Sequence, residues 1–168
     1  MDALDAILTR RSIRRYTTEP ISDEVLETLL KAAMAAPTAA SQPWHFVVIR
    51  DRSSMEAITN FHPHAEMLKQ AQVAIAVCGD PLQGHLTGRW PLDCSAATEN
   101  ILIAANALGL GACWVGMYPV EERIEGLRGL LGLPGHVIPL SMVALGYPAE
   151  QKDPSNRFKR DRIHRERW

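Results

Sequence analysis

The sequence predicts one domain of the α/β or α+β class, built around a central sheet. Helical and strand patterns interleave along the chain, which places helices against a sheet. The length of 168 residues suits a single domain over 1–168, and no Pro/Gly/Ser-rich linker divides it. With 46% hydrophobic residues, the composition excludes collagen-like, low-complexity and disordered proteins.

The first half of the chain predicts four helical segments and two strands. Leu4, Ile7 and Leu8 form a short apolar helical face. Ser22 is a good N-cap for a second helix, which must end before Pro37. The segments that follow predict a strand at 45–50, short helices at 53–59 and 64–70, and a strand at 72–78.

The second half begins with the strongest helical pattern, at 93–108. It is rich in Ala and Leu and nearly free of charge, so we expect it in the interior, ended by Gly109 and Gly111. A strand at 112–117, a helix at 121–131 and a strand at 138–145 follow. The tail 151–168 is polar and basic without a core pattern. Its terminal Trp168 indicates docking onto another surface, such as a second subunit.

The formal net charge of −1 hides two cationic ends. Four of the 18 basic residues are Arg10, Arg11, Arg14 and Arg15, and six more are Arg157, Lys159, Arg160, Arg162, Arg165 and Arg167. The overall balance argues against a nucleic-acid partner. Two small cationic clusters fit a compact anion such as a phosphate. Solvated surface charge is the alternative.

Several other classes are disfavoured. No apolar run approaches the roughly 20 residues of a membrane span, and the charge order of the N-terminus is wrong for a signal peptide. Cys78, Cys94 and Cys113 form no CxxC pair, so we expect a reduced, cytoplasmic chain. His62 and His64 lack further ligands at metal-binding spacing, which predicts packing or surface histidines and no metal site.

Three segments are candidates for binding. Residues 10–14, Arg-Arg-Ser-Ile-Arg, offer guanidinium forks and a hydroxyl to a phosphate or carboxylate, or else complement the dipole of a helix end. Residues 36–44 offer hydroxyls and an amide to a planar ligand, or form an ordinary loop. Residues 109–116 lack the dinucleotide fingerprint, and their glycines allow close approach of a ligand or a tight turn.

Four segments together resemble the nitroreductase family of flavoproteins: RRSIRRY, APTAASQPWHFVVI, DCSAATENILIAANALGLGACWVG and RFKRDRIHRERW. Each motif is modest, but the four occur in the family's order between Asp2 and Trp168. The resemblance implies an α+β fold with a mostly antiparallel central sheet flanked by helices. It also implies an intertwined homodimer that binds FMN at each subunit interface, with the tail 151–168 extending onto the partner.

The resemblance also assigns residues to the cofactor. Arg10, Arg11, Ser12 and Arg14 would hold the FMN phosphate, the ribityl chain and the pyrimidine end of the ring. The isoalloxazine ring would be lined by Pro37, Thr38, Ser41 and Gln42 of the partner. The same ring would be faced by Trp114, Val115 and Gly116. Arg162, with Lys159 or Arg160, would reach the phosphate. Thr38 and Ser41 depart from the commoner Ser and Asn, and neither 62–64 nor 84–90 matches a functional motif.

The implied function is an FMN-dependent oxidoreductase. NADH or NADPH would deliver hydride to flavin N5, and a nitroaromatic, quinone or similar small molecule would then accept electrons by ping-pong kinetics. No side chain need act as a catalytic acid or base. Alternatives are a flavoenzyme with another reaction (reductive dehalogenation, ene reduction or flavin breakdown) and a non-catalytic flavin-binding protein. Without the resemblance, an anion-binding regulatory module is the remaining interpretation.

Overall fold

The computed structural model describes residues 1–38, 41–83 and 88–168, and it confirms the predicted alternation of helices and strands. The elements are α1 (Ala3–Thr9), α2 (Asp23–Met34), β1 (Trp44–Ile49), α3 (Arg52–Ile58), β2 (Val73–Gly79), α4 (Trp90–Ala107), β3 (Gly111–Gly116), α5 (Glu121–Leu131) and β4 (Ile138–Gly146), with 3₁₀ turns at Glu66–Lys69 and Arg160–Arg162. In these ranges no helix combines the length and apolarity that a membrane crossing requires.

The four strands form one antiparallel sheet in the order β1-β2-β4-β3. This arrangement confirms the α+β class with a mostly antiparallel sheet. Strand β2 is buried along its whole length because it lies in the middle of the sheet and is covered on both faces. Strands β1 and β3 are the two edges, so each has one side without a partner strand among the described residues.

Helices cover both faces of the sheet, and strand alternation assigns side chains to each face. Val73, Ile75 and Val77 of β2 pack in the cluster that includes α2 and α4. Ala74 and Ala76 face the opposite cluster, which includes α3, the first 3₁₀ turn and α5. The sheet is therefore the middle of three layers, and only its edges and ends can present a binding site.

Local signals fix most boundaries. The Ser22 side chain accepts a hydrogen bond from the Val25 N–H and caps α2 as predicted. Gly109 has φ of +78°, which ends α4 in the left-handed conformation that glycine favours. Helix α4 begins at Trp90, earlier than predicted. Pro91 is compatible with that first turn, since it has no N–H that needs a partner there.

The predicted apolar face of α1 does not join the core of this chain. Leu4, Ile7 and Leu8 are 69%, 49% and 66% exposed, while Ala6 is buried. Asn106 of α4 donates to the Ala6 carbonyl at 3.0 Å, so α1 contacts the domain through its small residue. The larger side chains point away from the domain because only one face of this short helix contacts α4.

Two glycines of α5 give a matched test of packing. A Cβ at Gly126 would lie 2.6 Å from Cγ of Phe61, whereas none of the described atoms lies within 4 Å of a Cβ at Gly129. We expect Gly126→Ala to lower the free energy of unfolding by about 1–3 kcal/mol, because overpacking outweighs the helix propensity gained. Gly129→Ala should raise it by up to about 1 kcal/mol. Urea unfolding of both variants checks this, and equal stabilisation would show that Phe61 does not pack there.

Candidate functional site

A cavity of about 700 Å³ lies at the free edge of β3. Residues 113–116 of β3 form one wall, and Arg14 and Arg15 of the N-terminal segment form another. The loop 62–70, Arg123 of α5, and Glu150 and Lys152 after β4 complete it. The volume is within the usual range of roughly 300–1,000 Å³ for small-molecule sites.

Strand β3 presents main-chain donors to this cavity. The hydrogen bond from the Met117 N–H to the Leu140 carbonyl shows that 113, 115 and 117 pair with β4. In an antiparallel pair the intervening residues direct their N–H and C=O groups outward. The N–H groups of Trp114 and Gly116 therefore face the cavity side. No hydrogen bond within the described ranges uses either donor.

The N-terminal arginine segment lies flat over the edge of the sheet. The Ile13 N–H donates to the Ala112 carbonyl at 3.0 Å. Gly111 and Gly146 are cross-strand partners, and a Cβ would come within 2.7 Å of Ile13 at the first and 2.8 Å of Tyr16 at the second. The absence of a side chain at Gly111 therefore allows Ile13 to pack closely against the strand. Of the predicted glycines only Gly116 lines the cavity.

The segment after β4 fastens the same stretch from the other side. The Glu150 carboxylate accepts a hydrogen bond from the Arg14 N–H at 2.6 Å, which lowers the pKa of Glu150. The Lys152 ammonium donates to the Ser12 carbonyl at 2.7 Å and also pairs with Glu150 at 3.1 Å. These contacts fix the backbone of the arginine segment and leave the Arg14 side chain at the cavity.

The predicted arginines have different surroundings. Arg14 lines the cavity, but Arg10 forms an ion pair with Glu99 at 3.1 Å. The Arg11 side chain donates to the Asp153 carbonyl. Within one chain the structure thus brings only Arg14, Trp114, Val115 and Gly116 of the predicted set to the cavity.

Among the described residues of the loop 36–44 and of the tail, only Lys152 lines the cavity in this single chain. The Thr38 hydroxyl contacts the Ser41 carbonyl and lies 3.2 Å from an Asp93 carboxylate oxygen. Pro37 and Gln42 are exposed, and residues 39 and 40 lie outside the described ranges. Lys159, Arg160 and Arg162 are exposed at the second 3₁₀ turn. Of the unassigned stretch 84–90, residues 84–87 lie outside the described ranges. The cofactor contacts proposed for these residues stay predictions.

Comparison with known proteins identifies the family. The profile of the nitroreductase family matches residues 7–83 and 62–147. The chain belongs to the nitroreductase family. It is 50% identical to a protein of Methanothermobacter thermautotrophicus, over 100% of this chain and 88% of that one, provisionally named an NADH dehydrogenase/NAD(P)H nitroreductase.

Solved structures agree with this assignment of the family and the fold. A protein of Parabacteroides distasonis with the same provisional name superposes with a TM-score of 0.95 at 40% identity, over 99% of this chain and 98% of that one. A provisionally named nitroreductase of Desulfovibrio desulfuricans, solved in complex with FMN, gives a TM-score of 0.85 at 32% identity, over 100% and 98%. The predicted nitroreductase-like fold is confirmed.

In this member of the nitroreductase family, His62 is a cavity residue whose contacts the sequence did not reveal. His62 Nδ1 accepts a hydrogen bond from the His64 N–H at 3.2 Å, so Nε2 carries the ring hydrogen and donates it to the Gly116 carbonyl at 2.8 Å. Burial, with the nearby Arg123 charge, lowers the pKa of His62. The ring is therefore neutral and ties the loop 62–64 to the end of β3. The described residues contain no cluster of metal ligands.

Arg123, Glu150 and Lys152 are three further cavity residues that sequence reasoning missed. The Arg123 Nη1 donates to the Gly116 carbonyl at 3.2 Å, the same oxygen that His62 binds. Arg123 is one of several charges in the first turn of α5, and Lys152 is one of many in a basic tail. No local signal distinguishes them, since the contacts depend on how distant segments pack.

The neutral state of His62 predicts a pH dependence of stability. Because its pKa is lowered by folding, the unfolded chain binds a proton below about pH 6.5 while the folded chain does not. The contribution of the neutral His62 ring to the free energy of unfolding is complete above that pH. It is lost as the pH falls toward the pKa of His62 in the folded chain. Glutamine at this position can donate to Gly116 without titrating. His62→Gln should therefore lose less unfolding free energy than the wild type between about pH 7.5 and about pH 5.5. Denaturant titrations measure both losses, and equal losses would contradict the assignment.

Proposed function

We propose that the protein is an FMN-dependent oxidoreductase that uses NADH or NADPH to reduce nitroaromatic, quinone or similar acceptors. The observation that carries the proposal is the cavity at β3, where unused main-chain donors and the Arg14 guanidinium converge. Family membership and the FMN complex of the Desulfovibrio relative support the choice of cofactor.

The donors present at the cavity fit FMN. The outward N–H groups of Trp114 and Gly116 match a ring that accepts hydrogen bonds along its edge. Arg14 and Lys152 supply positive charge, and the half-exposed Trp114 supplies an aromatic surface. With no dinucleotide fingerprint and only small cationic clusters, the chain is suited to a single phosphate, which favours FMN over FAD.

When bound, FMN supplies the transfer of hydride and electrons between nicotinamide and acceptor. The chain's own residues bind and orient. Arg14 would stabilise negative charge at the pyrimidine end through a charged hydrogen bond. Val115 is buried and fixes β3 against the core, so that the neighbouring N–H groups are held in place. No side chain is assigned as a catalytic acid or base.

Donor and acceptor would use this cavity in turn, which gives ping-pong kinetics. Another cavity, of about 450 Å³, is lined by Phe46, Asp80 and their neighbours and contains none of the residues assigned to the cofactor. Parallel lines in double-reciprocal plots at several donor concentrations are the expected result. Intersecting lines would mean that both substrates bind together.

A homodimer would complete the site. Pro37, Thr38, Ser41 and Gln42 do not line the cavity of their own chain, so these residues would line the flavin of a partner. Apolar surface is available for such an interface on α1 and along the tail, where Phe158 is 69%, Ile163 55% and Trp168 100% exposed. Exposed apolar groups of this size are typical of contact surfaces.

Light scattering at micromolar concentration tests the dimer. We expect a stable dimer at this concentration. Obligate dimers usually bury more than roughly 2,000 Å² of surface, and an interface of that size keeps the subunits together. Removal of residues 155–168 should weaken both the dimer and FMN binding. A full-length monomer that retains its flavin would contradict the proposal.

Spectroscopy of the purified protein tests the proposed activity. We expect a flavin absorbance spectrum, release of FMN on denaturation, and rapid anaerobic bleaching by NADH or NADPH followed by reoxidation with a nitroaromatic or quinone. Release of FAD alone would contradict the choice of cofactor. Bound flavin that no nicotinamide reduces would favour a flavin-binding protein without turnover, and a colourless protein that takes up no FMN would favour an anion-binding module.

A further inference from the structure

The charged side chains of the β3 cavity are mostly positive. Five cations and two carboxylates line it: Arg14, Arg15, Lys69, Arg123, Lys152, Glu66 and Glu150. Both carboxylates are already paired with lysines, Glu66 with Lys69 at 2.9 Å and Glu150 with Lys152 at 3.1 Å. In the described ranges no carboxylate lies within ion-pair distance of the three arginines. The cavity therefore keeps an excess of three positive charges.

Arg123 is the arginine that is fixed beside β3. Its Nη1 donates to the Gly116 carbonyl, and His62 binds the same oxygen. Because His62 is neutral, Arg123 is the charge at this end of the strand. Its remaining N–H groups have no acceptor among the described residues, while the guanidinium lies half-buried at the cavity wall.

We propose that Arg123 selects electron acceptors that carry a carboxylate. The inference rests on the proposed function, which places the flavin along 114–116 and a stacked substrate beside it. A guanidinium binds a carboxylate with two parallel hydrogen bonds. With the flavin along 114–116 and the acceptor ring stacked on it, a carboxylate attached directly to that ring would be within reach of Arg123 beside Gly116. In a nicotinamide dinucleotide a ribose separates the ring from the nearest phosphate, so the donor's oxyanions would lie farther out.

The test compares two acceptors that differ in charge. The FMN-loaded protein is assayed with 4-nitrobenzoate and with its neutral analogue 4-nitrobenzamide, as wild type, Arg123→Gln and Arg123→Lys. We expect Arg123→Gln to lower kcat/KM for the benzoate roughly 10- to 100-fold, mainly through KM, and to change the benzamide value less than about threefold. Arg123→Lys should restore part of the preference. Lys31→Gln on α2 removes an exposed positive charge far from the cavity and should change neither value.

Measuring reduction by the nicotinamide and oxidation by the acceptor separately shows which of the two substrates has its oxyanion bound by Arg123. If Arg123→Gln weakens NADH or NADPH binding in stopped-flow reduction and leaves 4-nitrobenzoate unaffected, the anion is on the donor and the proposal is wrong. Equal losses with both acceptors would mean that Arg123 only holds Gly116, which also overturns it. Unchanged kinetics of Arg123→Gln with both acceptors would also overturn the proposal.

Binding of unreactive ligands separates this proposal from the proposed function. Benzoate and benzamide are titrated into the oxidised holoprotein and followed by the flavin difference spectrum. We expect benzoate to bind tighter in the wild type and to lose that advantage in Arg123→Gln, whether or not nitro compounds are reduced. Equal affinity for both ligands in the wild type overturns the charge preference even if turnover is normal. A protein without flavin overturns both proposals.

Discussion

Replacing Gly146 by alanine is expected to lower both stability and FMN affinity. The new Cβ would lie 2.8 Å from Cβ and from two ring atoms of Tyr16, whose ring is buried and hydrogen-bonded to the Ile13 carbonyl. Overpacking of this kind costs about 1–3 kcal/mol. Because Tyr16 and Ile13 hold the segment that carries Arg14, its displacement should also weaken FMN binding by at least about tenfold.

Gly135→Ala is the control, since none of the described atoms lies within 4 Å of its new Cβ and its φ is not positive. Guanidinium unfolding and a fluorescence titration with FMN measure the two effects. A Gly146→Ala protein with wild-type stability and affinity would show that Tyr16 moves freely, and that the fit of this segment over the sheet has no part in the site.

Loss of either Arg10 or Arg162 is expected to weaken FMN binding strongly. If both reach one phosphate, as the resemblance implies, each removal forfeits a charged hydrogen bond of roughly 1.5–3 kcal/mol. The losses should be non-additive, because groups that share a ligand are coupled. Saturating FMN should restore most turnover in Arg162→Ala, since the ring contacts proposed at β3 do not involve Arg162.

Equilibrium titration of the two single variants and the double variant measures this coupling, with Lys31→Ala as a charge control. In the single chain Arg10 pairs with Glu99, so phosphate binding would require Arg10 to exchange or share that partner. Wild-type affinity in both single variants would show that the arginines serve only the solubility of the chain ends, and the shared-phosphate assignment would be abandoned.

Sequence reasoning succeeded where the determining interactions are local. The Ser22 cap acts on Val25 three residues away, and Gly109 ends a helix through its own backbone conformation. Such signals determine element boundaries, and the interleaving of elements then favours a sheet covered by helices. The resemblance added Arg14 and 114–116, which the structure places at one cavity.

The unpredicted part of the site consists of long-range contacts. His62 meets Gly116 across 54 positions, and Lys152 meets Ser12 across 140. Neither residue type nor spacing carries that information, because these contacts depend on the packing of complete elements. The helix α1 was predicted, but the exposure of its apolar face was not, because an apolar helical face does not show whether the chain's own core or another surface covers it.

The fastening of residues 11–16 by residues 147–153 has a consequence for biosynthesis. Translation makes the arginine segment before its hydrogen-bond partners Glu150 and Lys152. Until residues 150–152 are made, the Arg14 N–H and the Ser12 carbonyl therefore lack these hydrogen-bond partners. We expect cofactor loading to follow synthesis of this segment, so chains truncated before Glu150 should be made without acquiring flavin.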